Sequence, residues 1–220
     1  MLPQIDTALE REIEIAFEEW GREKLVRYKT LMAYYRCAMM EIETKFNVLN
    51  EEYSLRLDRN PISSIKTRLK SFDSIKEKLD RKGFSRDVQS IEDNLNDVAG
   101  VRVVCSFPED VYTLANALLK QDDIVLVEEK DYIKNPKPNG YRSLHLIVTV
   151  PIFLAKEKRY MKVEIQLRTI AMDVWASLEH QLKYKKDAEF TEEMEKELFR
   201  CATLSAELDS RMDNLRSKIL

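Results

Sequence analysis

KVEIQLRT, residues 162–169, is the stretch from which the architecture can be read. Val163, Ile165 and Leu167 alternate with Lys162, Glu164, Gln166 and Arg168, the period of a strand with one apolar and one polar face. The apolar side predicts a sheet packed on a core, and alternation alone assigns the polar side to solvent. SLHLIVTV (143–150) repeats the pattern, with Leu144, Leu146, Val148 and Val150 opposite His145, Ile147 and Thr149. Further back, Val101, Val103 and Cys105 alternate with Arg102, Val104 and Ser106, a third strand. Between these lie a helix over 108–121 that starts with proline and a strand over 123–129. The loop KNPKPNG (134–140) is stiffened by two prolines, and helices over 171–186 and 191–218 follow the last strand.

Upstream of the sheet the period is helical. Over 20–57, Tyr28, Met32, Tyr35, Met39, Ile42, Phe46, Leu49 and Tyr53 step by four and three, one apolar stripe for a core or an oligomer interface. Asn60-Pro61 breaks the chain. The same spacing then predicts a second helix over 62–83, with Ile62, Ile65, Leu69, Phe72, Ile75 and Leu79 inward and Lys66, Lys70, Ser74, Lys78 and Arg81 along another face. Residues 62–86 hold eight basic and three acidic side chains in a chain of net charge −3. Like charges four apart repel by a few tenths of a kcal/mol per pair, which a polyanion would relieve.

Composition narrows the chemistry. At 220 residues, 44 % apolar and 34 % charged, the chain can build a core and is neither disordered nor membrane-spanning in character. The acidic N-terminus, MLPQIDTALEREIEIAFEEW, lacks the basic-then-apolar order of a secretory signal. Cys37, Cys105 and Cys201 lie far apart and read as reduced thiols of a cytoplasmic protein. Two histidines, His145 and His180, are too few for a multi-histidine metal site, and four glycines supply neither a Walker loop nor G-x-G-x-x-G. Phosphate binding must therefore use side chains. Asp97, just before a glycine that opens a strand, and Glu164 give two hard oxygen ligands, as many as a Mg²⁺ shared with phosphates usually takes from protein. Tyr141, at a loop-to-strand junction beside Arg142, is a candidate platform for a stacked base.

KTRLKSFDSIKEKLDRKG (66–83), NDVAGVRVVCSF (96–107), KDYIKNPKPNGYRSLH (130–145) and VEIQLRTIAMDVWASLEHQLKYK (163–185) together resemble the synthetase domain of the RelA/SpoT-homologue family, and more narrowly its small alarmone synthetases of the RelP/RelQ type. The resemblance implies an α+β fold: a mixed sheet of nucleotidyltransferase type flanked by helices, with long N- and C-terminal helices. It implies a synthetase core over 61–186 between helical segments 1–60 and 187–220 that serve packing and oligomerisation. The implied reaction moves the β,γ-pyrophosphate of ATP to the 3′-hydroxyl of GDP or GTP, giving ppGpp or pppGpp and AMP.

Position by position, the resemblance makes Arg68 and Arg102 an adenine clamp and Lys70, Ser74, Lys78 and Arg81 the holders of the ATP phosphates. Asp97 and Glu164 would bind Mg²⁺, with Glu164 also taking the proton from the 3′-hydroxyl. Tyr141 would stack on guanine, with Lys130, Lys137, His145, Gln166 and Asp173 around the acceptor. Asp173 stands where other members carry Asn, and Lys130 where some carry Arg, so acceptor preference is the property these departures touch. The resemblance also implies a cytoplasmic homotetramer without hydrolase activity, and the motifs lean to the RelP type, which its product does not activate. Two alternatives stay open: an RNA-binding or scaffold protein on this fold, and pyrophosphate transfer to an adenosine nucleotide or an RNA 3′ end.

Overall fold

The computed structural model describes residues 21–184 and 190–219. Five strands form one mixed sheet: β1 (Ile62–Leu69), β2 (Ala99–Cys105), β3 (Val125–Asp131), β4 (Leu144–Phe153) and β5 (Lys158–Thr169), in the order β1-β2-β5-β4-β3. Only the central β2–β5 pair is parallel. Among the described residues the helices are α1 (Arg22–Leu57), α2 (Phe72–Lys82), α3 (Val88–Asn94), α4 (Pro108–Leu119), α5 (Ile170–Tyr184) and α6 (Glu192–Ile219). The mixed sheet with long terminal helices is the expected architecture. Trp20, where the first helix was expected to begin, and residues 185–186 lie outside the described residues.

The periodicities reappear as burial. From Tyr28 to Leu49 every member of the α1 stripe is buried, in the same core as Val163, Ile165 and Leu167 of β5 and Leu144, Leu146, Val148 and Val150 of β4. Side chains such as Ile42 and Phe46 are fully enclosed, each worth about 1.5–3 kcal/mol of burial. The stripe is thus spent on the sheet of its own chain. Among the described residues no helix is long and apolar enough to cross a membrane.

Residues 62–83 are not one helix. Ile62–Leu69 is the edge strand β1, antiparallel to β2 from Ile62 opposite Cys105 to Leu69 opposite Ala99. β-branched Ile62, Ile65 and Thr67, with Ser63 and Ser64, are poor helix formers that suit a pleated ladder. Ser71 restarts the chain as the N-cap of α2, its hydroxyl accepting from Ser74 N at 3.3 Å, and Gly83 ends that helix at φ 71°. Lys66 and Arg68 therefore stand on a strand, Lys70 in the turn, and Ser74, Lys78 and Arg81 on a helix. The short α3, capped by Asp87 through Ser90 N at 2.8 Å, was absent from the sequence reading.

Candidate active site

The register lays a row of polar side chains across the whole sheet: Lys66 (β1), Arg102 (β2), Gln166 (β5), His145 (β4) and Lys130 (β3) are successive cross-strand partners. Being in register, they share one face, opposite the core. The neighbouring row runs Arg68, Gly100, Glu164, Ile147 and Glu128. Gly100 leaves a gap there between Arg68 and Glu164, which becomes part of a cavity floor.

Two cavities open on this face. One of about 580 Å³ is lined by Lys66, Arg68, Lys70, Asp97, Arg102, Glu164 and Gln166, among others. A smaller one of about 200 Å³ is lined by Lys130, Tyr132, Lys137, His145 and Glu164, with Glu128 and Ile147. Glu164 lines both. A larger groove of about 730 Å³ between α1 and α3 contains none of the expected site residues, and its Arg159 and Glu92 already pair with each other at 2.5 Å.

Asp97 receives Lys78 at 2.6 Å and Lys70 at 3.0 Å on the same oxygen, Oδ2. Burial pushes its carboxyl up, but the hydrogen bonds and charge of Lys78 and Lys70 outweigh that and hold it below the usual carboxylate range. Its Oδ1 is buried and, among the described residues, accepts no hydrogen bond. An orphaned carboxylate oxygen beside a cavity that holds a second carboxylate suits a hard cation. Among the described residues no group of three or more His, Cys, Asp and Glu could hold a metal, so the pair would need ligands from elsewhere, such as phosphate oxygens.

Glu164 is half-buried, with Gln166 Nε2 donating to its Oε2 at 3.0 Å and His145 Nδ1 lying 3.5 Å from Oε1. Burial raises its carboxyl, but His145 and Gln166 overcome that and hold it below its ordinary value, so it is ionised at neutral pH. Tyr141 stands next to it in the network: its hydroxyl is 2.8 Å from His145 Nε2 and accepts from Arg168 Nη2 at 2.6 Å. Lys137 Nζ lies 4.8 Å and Arg168 Cζ 5.1 Å from the Tyr141 ring centre, so the ring already attracts cations.

Asp173 does not offer an open negative charge. It is buried in the first turn of α5 and meets Arg102 and Arg168 at 3.2 Å each and Lys66 at 3.7 Å. The extra charge is thus absorbed by three cations. Ser74 receives the Ser71 hydroxyl at 2.8 Å, and exposed Arg81 lines neither cavity. Two residues were missed. Tyr132 stands edge-on to His145 with ring centres 5.3 Å apart, and Arg168 is buried where alternation assigned it to solvent. The signal for Arg168 was its place after Glu164 and Gln166 on one strand face.

Residues 67–189 match the pattern described as the region found in RelA / SpoT proteins. GTP pyrophosphokinase YwaC of Bacillus subtilis (strain 168) is 41 % identical over 208 residues, covering 94 % of this chain and 95 % of that one. The crystal structure of small alarmone synthetase 2 from Bacillus subtilis superposes with a TM-score of 0.79 at 42 % identity, over 87 % of this chain and 98 % of that one. Small alarmone synthetase 1 from the same organism, bound to its product pppGpp, gives a TM-score of 0.79 at 33 % identity, over 87 % and 97 % of the two chains. With a family match over more than half of its length and a relative this similar along nearly the whole of it, the chain belongs to the RelA/SpoT family.

Proposed function

We propose that the protein is a GTP pyrophosphokinase that transfers the β,γ-pyrophosphate of ATP to the 3′-hydroxyl of GDP or GTP. The observation that carries this reading is that Glu164 lines both cavities, so one carboxylate faces the places where a donor and an acceptor would meet. ATP belongs in the larger cavity, its adenine between Arg68 and Arg102 and its phosphates against Lys70 and Lys78, with Ser74 and Arg81 further along α2. Planar, permanently charged guanidinium groups suit an adenine face. The acceptor belongs beside Lys130, Lys137, Tyr141 and His145, where a guanine stacking on Tyr141 would displace the Lys137 ammonium from its ring. Gln166 serves this side through Glu164, and Asp173 through Arg168, which it holds beside Tyr141.

Ionised Glu164 takes the proton of the 3′-hydroxyl. The freed oxygen attacks the β-phosphorus, its bond to the α,β-bridging oxygen breaks, and AMP leaves. Such a transfer asks mainly for alignment and charge stabilisation. Asp97 and Glu164 would hold Mg²⁺, which would neutralise the phosphate charge gathered there. Apolar stripes left exposed support assembly into a homotetramer: Ile170, Val174, Leu178 and Leu182 on α5, and Leu204, Leu208, Met212 and Leu215 on α6. Segments 1–60 and 187–220, of which residues 21–60 and 190–219 are described, then flank a synthetase core over 61–186, in a cytoplasmic enzyme.

The test is incubation with Mg²⁺, ATP labelled at the γ-phosphate and GDP, GTP, ADP or tRNA, with Glu164→Gln alongside. Label is expected on a guanosine nucleotide with the wild type alone, and Glu164→Gln is expected to lose about 10²–10⁴-fold in rate. Label on ADP or tRNA alone would reassign the acceptor. No transfer by the folded wild type, with AMP absent, would sink the reading.

A further inference from the structure

Following the hydrogen bonds outward from Glu164, we infer that Arg168, held by Asp173, is a positioning residue that fixes the donor–acceptor direction of both chains of contacts converging on that carboxylate, and with them the Nδ1–H tautomer of His145. A guanidinium carries donors only. One hydrogen of Arg168 Nη2 goes to the Tyr141 hydroxyl at 2.6 Å and the other to Gln166 Oε1 at 2.9 Å. The first contact makes the Tyr141 oxygen an acceptor, so its own proton is free for His145 Nε2, 2.8 Å away. A proton on Nε2 would instead face that hydroxyl and leave the tyrosine proton without an acceptor. His145 Nε2 therefore accepts, and the neutral ring carries its proton on Nδ1, 3.5 Å from Glu164 Oε1.

The second contact acts in parallel. Gln166 must turn its oxygen to Arg168, so its amide nitrogen points the other way and donates to Glu164 Oε2 at 3.0 Å. One arginine thus sets donors facing both oxygens of the carboxylate. Its own place is set by Asp173, at 3.2 Å from Nη1, and by burial that leaves its side chain 5 % exposed. A charge buried this deeply needs such a partner. Asp173 also holds Arg102 at 3.2 Å, so the same carboxylate ties the donor cavity to the network on the acceptor side.

The inference deepens the proposed function, and rests on it for the role of Glu164, but the tautomer of His145 can be read without any turnover. The chain contains only two histidines, and His180→Gln assigns the imidazole signals in ¹⁵N-labelled protein. At about pH 8.5, above the ordinary histidine range, His145 of the wild type is expected as Nδ1–H. In Arg168→Met and in Tyr141→Phe the Nε2–H form, favoured by free imidazole, is expected to gain population at the expense of Nδ1–H, which keeps only the pull of Glu164 at 3.5 Å. Arg168→Met is also expected to lower kcat by about tenfold or more, with the KM for ATP within about twofold of wild type. Tyr141→Phe leaves the Arg168–Asp173 pair untouched and carries the test should Arg168→Met fail to fold. Nε2–H in the wild type, or Nδ1–H retained undiminished in Tyr141→Phe, would overturn the inference. The expected tautomer change in a protein that transfers no pyrophosphate would leave the positioning role standing and remove the proposed function instead.

Discussion

Replacing Gly140 with alanine tests how the C-terminal helix supports the loop that presents Lys137 and Tyr141. Gly140 closes that loop, its N–H donating to Lys137 O at 2.8 Å, with φ at +87°. A Cβ added there would stand 2.5 Å from the Ala202 Cβ and 3.4 Å from Phe199 Cδ2, both on α6. The left-handed backbone costs an L-residue about 1–2 kcal/mol. Overpacking against a rigid neighbour adds about 1–3 kcal/mol, because the Ala202 Cβ is fixed to helix backbone and cannot swing aside. Together Gly140→Ala is expected to cost about 2–5 kcal/mol in denaturant unfolding. Relief by moving the loop outward would carry Tyr141 from His145 and raise the KM for the acceptor more than that for ATP. Ala202→Gly separates the two costs: added to Gly140→Ala it removes the clash and leaves the backbone strain. Recovery of about 1–3 kcal/mol in the double variant, relative to Ala202→Gly alone, is the expected coupling. A Gly140→Ala loss under about 1 kcal/mol, or no recovery, would refute the close packing of loop on helix.

Three further outcomes are expected. Lys78→Met leaves Asp97 with Lys70 as its one ion-pair partner among the described residues; stability falls by about 1.5–3 kcal/mol. Because the Asp97 carboxyl is held low in the fold, its contribution is present above the ordinary aspartate pKa and lost as pH falls through the folded value; Lys78→Met raises that folded value, so the acid-unfolding midpoint moves to higher pH, read by circular dichroism. Asp209 is the opposite case: burial, with Asp213 adding, pushes its carboxyl up despite the Thr169 hydrogen bond, so ionising it costs stability as pH rises past the ordinary range. Asp209→Asn keeps an acceptor for Thr169, and its Tm advantage over wild type is expected to be absent near pH 4 and to grow towards neutrality, where an unchanged difference would count against the burial argument. Leu208→Lys places a charge in the exposed α6 stripe and is expected to lower the mass seen by light scattering, whereas an unaltered assembly would move the interface elsewhere.

The sheet was legible wherever one strand declared itself by alternation. Glu164 and Gln166 could be placed on the face opposite Val163 and Ile165 from eight residues alone, and that face is where the cavities open. β1 was not legible, because Ile62, Ile65, Leu69 and Phe72 fit a helical stripe as well as they fit a strand running into a capped helix. What decides is the ladder to β2, some thirty residues downstream, which no local window contains. Arg168 was lost for a related reason. Alternation tells which side of a strand a residue is on, but not that Asp173, Tyr141 and Gln166 close over it at the strand's end. The Asp173 charge was visible in the sequence, while its neutralisation by Arg102, Arg168 and Lys66 needed the fold.

The strand order itself explains why a chain with four glycines can do without a glycine cradle. Because β5 is central, residues from β1 and β2 reach one side of it and residues from β4 and β3 the other. Lys66 and Arg102 thus lie on one side of Gln166 in the cross-sheet row, and His145 and Lys130 on the other. In the proposed function a nucleotide held from each side would bring its phosphates or ribose towards the middle strand, and there the adjoining row places Glu164 beside side-chain-free Gly100. On the proposed reading, separation of donor and acceptor would be built into the sheet, and their meeting point would be set by one residue's register. A one-residue slip of β5 would turn Glu164 into the core and Val163 or Ile165 into the cavity. The apolar partners of β5 that fix its register, Leu144, Leu146 and Val148 on β4 and Val101 and Val103 on β2, accordingly do as much to aim the carboxylate as any residue in contact with it.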